Sequence, residues 1–155
     1  MAKFRRTVLV FSLIILPSTA VAQDDLDLRT AVTVLIIHSD VKTAFAEKAF
    51  EVALRRLCVL CDAKPAYVAS LLISMHKDVR EKGLDKKFIP VVMNYNRIVG
   101  TVESTYLKRK LPIESRSELC KTLAAMYMTV RPETRTSAEA VEDIIEGYAV
   151  FLGKP

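Results

Sequence analysis

The sequence predicts an all-α fold, and three observations lead to this prediction. Apolar residues recur along most of the chain at spacings of three and four, which is the period of an amphipathic helix. Prolines and capping-box motifs separate these stretches at points suited to helix ends. The chain of 155 residues holds only 4 glycines and 6 prolines, too few for the many turns of a β-sandwich or barrel.

The first 22 residues have the pattern of a secretory signal peptide. A positively charged start is followed by an apolar run over residues 8–16 and by an A-x-A site that ends at Ala22. The run is too short to span a bilayer, which takes about 20 residues. We therefore expect cleavage after Ala22 and export, with the bacterial periplasm as the compartment that such a leader fits best. An uncleaved anchor is the alternative.

Removal of this segment changes the charge balance of the chain. Three of the 23 basic residues leave with it, so 20 remain against 18 acidic residues, and the net charge falls from +5 to +2 over residues 23–155. A net charge this small gives no basis for binding nucleic acid. No second apolar run approaches about 20 residues, so we expect no stable membrane insertion after cleavage.

Residues 23–155 are predicted to form a single domain of five or six helices. The first helix covers residues 26–38, although its β-branched residues also allow a strand. The second covers residues 41–60, with Ser39 or Asp40 as its N-cap, and we expect it to be central and buried on several sides. The stripe behind that expectation consists of Val41, Phe45, Ala49, Val52 and Leu57, widened by Ala44, Ala46, Phe50 and Ala53.

Proline, glycine and capping boxes delimit the remaining helices. The third begins at Pro65, which suits a first helical position, and stops at Gly83. The fourth covers residues 87–111, with Pro90 in its first turn. Capping boxes at residues 115–118 and 136–139 begin the last two helices, which end at Pro132 and Gly153. The stretch from 82 to 87 is the most loop-like.

Three cysteines predict one disulfide in an oxidising compartment. Cys120 is expected to pair with Cys61, which lies nearer the end of its helix, or alternatively with Cys58. A bond between Cys58 and Cys61 is the third arrangement. Closing a loop of about 60 residues would contribute about 3–4 kcal/mol to stability. A catalytic dithiol is disfavoured because a thiol near a helix C-terminus loses the help of the helix dipole.

No residue pattern indicates catalysis. His38 and His76 each stand alone in their segment, so zinc would lack its three or four ligands, and we interpret both as surface or core-edge residues. Motifs for nucleotide binding, serine hydrolysis and metalloproteolysis are absent from the sequence. We therefore expect no cofactor, no metal site and no enzymatic activity.

An acidic stripe lies on the last predicted helix. Glu139, Glu142, Asp143 and Glu146 follow one another at helical spacing and share one face. One interpretation is a solvated face, and the other is a docking surface for a basic partner. Basic residues cluster at 77–87 and 108–110, as solvated helix ends or a second docking surface. No aromatic residues interleave with them to stack nucleotide bases.

Four features follow one another along residues 95–152. A predicted helix that contains Ile98-Val99-Gly100 comes first, and a helix with regularly spaced apolar residues follows it. Arg131-Pro132-Glu133 then leads to a last helix with apolar residues along one side. The spaced residues are Leu119, Leu123 and Tyr127, then Ala138, Val141, Ile145 and Tyr148. In this order the segment resembles periplasmic immunity proteins of the Tai and Rap class, which protect bacteria against effectors of the type VI secretion system. The cysteines typical of that family, before the glycine-containing helix and near the C-terminus, are absent from this chain.

The resemblance implies a small helical protein, often a homodimer, that binds and blocks a toxin. Together with the predicted leader, it leads us to expect an exported module that binds one protein partner, either a toxin or a component of the envelope machinery. An accessory component of a secretion or conjugation system is the alternative, as is a periplasmic stress chaperone.

Overall fold

The computed structural model describes residues 19–39, 41–109 and 115–151. These residues form six α-helices and no strand. The prediction of an all-α fold is confirmed, and the strand alternative for residues 26–38 is wrong because the first helix covers them. The helices are α1 (Thr19–Ser39), α2 (Ala44–Cys61), α3 (Pro65–Glu81), α4 (Phe88–Arg109), α5 (Arg116–Val130) and α6 (Ser137–Phe151), with a 3₁₀ turn at Arg131–Glu133.

Some sequence predictions fall outside the described residues. Residues 1–18 of the predicted signal peptide are among them, and α1 runs through the predicted cleavage point after Ala22. The N-cap candidate Asp40 and the helix end at Gly153 also lie outside the described residues.

The helix ends follow the local side-chain chemistry. α2 begins three residues later than predicted, because Thr43 is its N-cap and accepts a hydrogen bond from the Ala46 N–H at 3.1 Å. The Ser39 hydroxyl instead donates to the Ile36 carbonyl at the end of α1. Ser115 and Thr136 act as N-caps as predicted, since each accepts a hydrogen bond from the backbone N–H three residues further on.

α4 is the central helix, because it packs against each of the other five. The Tyr95 hydroxyl donates to the Cys120 carbonyl at 2.6 Å, and the Tyr106 hydroxyl donates to that of Tyr148 at 2.8 Å. These bonds tie α4 to α5 and α6. The large apolar residues that α4 buries are Phe88, Val91, Val92, Tyr95, Ile98, Val99, Val102 and Tyr106. α2 packs against four helices, α1, α3, α4 and α5, so it too lies centrally, as expected.

α2 buries only one of its two apolar faces. Phe50 lies fully inside, with its ring centroid 5.5 Å from that of Phe88. Phe45 and Val52, which were expected in the same buried stripe, are exposed. The prediction fails because α1, α3, α4 and α5 cover only the side of α2 that carries Phe50. The buried residues of α2 are Ala46, Phe50, Ala53, Leu54, Leu57 and Cys61.

The disulfide joins Cys61, the last residue of α2, to Cys120 in α5, with their Cα atoms 5.7 Å apart. The first of the predicted pairings is confirmed, and Cys58 is left as a free thiol. Burial raises the pKa of Cys58 to about 11, so the thiol stays protonated at neutral pH. With Cys61 bonded to Cys120, Cys58 and Cys61 do not form a dithiol pair in this structure.

Removal of the disulfide is expected to cost about 3–4 kcal/mol in the free energy of unfolding, because the bond spans 59 residues. The test is urea unfolding of Cys120→Ser, followed by far-UV circular dichroism since the chain has no tryptophan. Cys58→Ser is the matched control and should keep the bond and stay within about 1 kcal/mol of the wild type. Equal stability of Cys120→Ser and the wild type would contradict a structural role for the bond.

Candidate functional site

A line of exposed apolar side chains runs along the outer face of α2. Phe45, Val52 and Val59 are 78%, 56% and 68% exposed. They are one heptad apart, so they stay on the same side of the helix with a drift of only about 20° per heptad. Ala49 and Arg56 lie between them, at the spacing of the second seam position of a coiled coil. We call these five residues the α2 seam.

Charged side chains flank the α2 seam. Lys48 and Arg55 both pair with the Glu51 carboxylate, at 3.0 Å and 3.4 Å, and Arg55 also lies 3.4 Å from Asp25. Hydrogen bonds from Lys48 and Arg55 lower the pKa of Glu51, which keeps it ionised. Exposed pairs of this kind contribute little to stability. A shallow groove of about 480 Å³ lies along the same face.

Arg56 is the cation within the α2 seam. Its guanidinium lies against Gly100 of α4, where a Cβ atom would overlap Nη2. The glycine therefore lets the arginine approach the α4 backbone closely. Arg56 is exposed, and within the described part of the chain it forms no hydrogen bond or ion pair. An unneutralised cation thus lies where α2 meets α4.

The four carboxylates predicted as a docking surface all lie exposed on α6. Two of them already have partners within the chain. Glu142 pairs with Arg97 of α4, and Glu139 accepts a hydrogen bond at 2.9 Å from the backbone N–H of Arg135, which lies just before the helix. Asp143 and Glu146 complete the acidic stripe. A role for this stripe in binding a partner stays a prediction.

The two histidines meet in the tertiary structure, although each is alone in sequence. His38 Nε2 lies 2.9 Å from His76 Nδ1, and His76 Nε2 lies 3.0 Å from the Asp85 carbonyl oxygen. A carbonyl oxygen only accepts, so His76 Nε2 donates to it, and His76 Nδ1 accepts from His38 Nε2. The Phe88 ring packs against both imidazoles, with centroids 4.8 Å and 5.0 Å away.

Asp85 extends this contact to α5 and the turn that follows it. Its carboxylate accepts two hydrogen bonds from Arg131, at 2.8 Å and 3.0 Å, and one from the Tyr127 hydroxyl at 3.0 Å. Both members of the ion pair are buried. Asp85 has a φ of 39°, in the left-handed region that aspartate tolerates better than most residues. The sequence analysis did not predict that Asp85 would link these elements. The one feature that could have indicated it is that Asp85 is the single carboxylate in a loop that is otherwise rich in lysine.

Among the described residues, no three side chains of His, Cys, Asp or Glu converge in a group that could hold a metal ion. A cleft of about 650 Å³ is lined by Cys58, whose thiol is protonated at neutral pH. A second cleft, of about 510 Å³ between α1 and α2, is lined by side chains of both charges, including Arg29 and Glu47. The α2 seam places three exposed apolar side chains on one line of a helix, and α1 exposes three more, Leu26, Val34 and Ile37.

No family model, curated protein or solved structure matches the chain. None of the described helices is by itself long and apolar enough to cross a membrane. Only α2 and α3 taken together, which are bent by 107° relative to each other, have the length and composition required.

Acid is expected to weaken the fold through His38. Burial, followed by the electrostatic influence of His76 and the positive charges of Lys77 and Arg80, holds the pKa of His38 below its ordinary value of 6.5. As the pH falls below 6.5, His38 takes up a proton in the unfolded chain before it does so in the folded chain. The contribution of His38 to the free energy of unfolding is therefore fully present above pH 6.5 and decreases until the pH has fallen below the lowered pKa of the folded state.

Urea unfolding between about pH 7.5 and about pH 5.5 tests this contribution. The wild type should lose unfolding free energy over that interval, and His38→Gln should lose less because it cannot titrate. An identical pH dependence of the two proteins would rule out His38 as a source of acid sensitivity.

Proposed function

We propose that this chain is an exported helical module that binds one protein partner and catalyses no reaction. The observation that carries the proposal is the α2 seam, where Phe45, Val52 and Val59 are exposed in one line. Exposed aromatic and aliphatic side chains on a rigid element are typical anchors of protein interfaces. The opposite face of α2 is held by the core and by the disulfide, so binding would order few side chains.

The sharpest form of the proposal is an immunity protein that blocks a secreted toxin. The resemblance of residues 95–152 to the Tai and Rap class supports this form, and the predicted leader supports a periplasmic location. An accessory component of a secretion or conjugation system would also need one dedicated partner, so the identity of the partner distinguishes the two roles.

A periplasmic stress chaperone is the second candidate function. The observation that favours it is the His38–His76 contact, which lies on the helix pair α1 and α3 and is expected to weaken in acid. Such a chaperone would bind many unfolded clients. At about pH 3 it would expose apolar surface, which a fluorescent dye detects. A protein that stays compact and does not bind the dye at that pH is not an acid-activated chaperone.

Affinity capture tests the proposed function. The full chain with a C-terminal tag is expressed in its native host, and proteins captured from the envelope and the culture fluid are quantified by mass spectrometry. We expect one partner at near-stoichiometric amount. Many substoichiometric clients that increase in number in acid would support the chaperone instead. A capture without any partner would contradict a protein-binding role.

Two surface variants identify which face the captured partner occupies. Val52→Asp places a charge in the α2 seam, and the double variant Glu142→Lys with Glu146→Lys reverses the acidic stripe of α6. Both alter exposed positions, so the fold should survive. The variant on the binding face should reduce the captured amount at least about tenfold, while the other keeps it near the wild-type amount.

A further inference from the structure

We infer that the α2 seam docks one helix of a second protein, and that this helix is amphipathic and acidic. The inference rests on the proposed function and names the chemistry of its partner.

The shape of the α2 seam fits a helix. From Phe45 to Val59 the seam spans two heptads, or about 21 Å. An apolar line that repeats every seven residues matches a partner helix packed at a small crossing angle. Binding to a membrane surface requires a wide apolar face. The wide apolar face of α2, which includes Phe50 and Leu57, points into the core and is not available to lipid.

The charge of the α2 seam fits an acidic partner. Arg56 lies between Val52 and Val59, with Lys48 and Arg55 beside the line. Among the described residues, Glu51 and Asp25 pair with Lys48 and Arg55, which leaves Arg56 as the cation without a carboxylate. A carboxylate opposite Arg56 would form a charge-assisted hydrogen bond on docking. An apolar or basic residue there would leave the guanidinium desolvated and unpaired, which is costly.

The same charges disfavour a second copy of this chain as the partner. In an antiparallel pair centred on Val52, Lys48 of one copy faces Arg56 of the other. In a parallel pair, Arg56 faces its own equivalent. Like charges across a helix seam oppose pairing. The acidic stripe on α6 supplies carboxylates but no apolar line of its own, so it does not complement the α2 seam either.

A charge-swap experiment with defined peptides tests the inference. The probe is a synthetic three-heptad helix with leucine and alanine at its seam positions and glutamate on both flanks. The control peptide carries lysine in place of every glutamate. Binding to the purified full-length protein, as exported by its host, is measured by fluorescence anisotropy at about pH 7.5, where His38 is neutral.

The wild type should bind the glutamate peptide and prefer it at least about tenfold over the lysine peptide. Arg56→Glu should lose that preference and bind the lysine peptide more tightly. Lys77→Glu is the matched control, because it reverses an exposed cation on α3, and it should behave as the wild type. Circular dichroism of each variant confirms that the helices are intact. Equal binding of both peptides, or binding of neither, overturns the inference.

Two further outcomes would also overturn it. A dimeric mass by light scattering that Val52→Asp makes monomeric would assign the α2 seam to a second copy. Pelleting with phosphatidylglycerol vesicles that Val52→Asp abolishes would assign it to a membrane surface.

The capture experiment separates failure of this inference from failure of the proposed function. If a stoichiometric partner is captured equally by Val52→Asp, Arg56→Glu and the wild type, the protein-binding role stands and the α2 seam is not its surface. If no partner is captured at all, the protein-binding role itself fails.

Discussion

The rotation of α2 about its own axis decides what this molecule presents to a partner. Phe50 packs against Phe88 on one side of that helix, and the bond from Cys61 to Cys120 fixes its last residue. A rotation that buried Phe45 would withdraw Phe50 from the core and separate the two sulfur atoms. Leaving a phenylalanine in water forgoes about 1.5–3 kcal/mol of burial, so an exposed Phe45 needs this constraint from the opposite face.

A second constraint acts through the loop at residues 82–87. Asp85 joins that loop to Arg131 and Tyr127, and its backbone carbonyl continues the contact to His76 and His38 on two further helices. Removing one member of a buried pair of this kind typically costs about 3–5 kcal/mol, because the other charge is left uncompensated. His38 and His76 lie on α1 and α3, and both of these helices pack against α2.

The six helices could be predicted from the sequence because residues close to each helix end determine where the helix begins or stops. Ser115 and Thr136 cap their helices within three residues, Pro65 begins α3, and Gly83 with a φ of 77° ends it. The disulfide could be narrowed to a few pairings because only three cysteines are present, and position within the helix favoured the one that forms.

The surface could not be predicted in the same way. α2 carries two neighbouring stripes of apolar residues, and in both stripes the residues recur at helical spacing. The spacing alone therefore does not tell which stripe is buried. Which stripe is buried depends on where α1, α3, α4 and α5 pack. The contact of His38 with His76 spans 38 residues, and the ion pair of Asp85 with Arg131 spans 46, so no spacing rule within a helix reveals either of them. Arg56 appears as an ordinary helix cation until Gly100 is seen beside it.

The orientation of α2 can be tested through the accessibility of two adjacent positions on this helix. Val52→Cys and Ala53→Cys are each prepared with Cys58→Ser, and the rate of maleimide labelling is measured under native conditions. Val52 is 56% exposed, whereas Ala53 is 1% exposed. We therefore expect Val52→Cys to be labelled at nearly the rate of a cysteine in a free peptide. Ala53→Cys should stay protected until the protein unfolds. Equal rates, or faster labelling at residue 53, would contradict the orientation of α2 on which the docking surface depends.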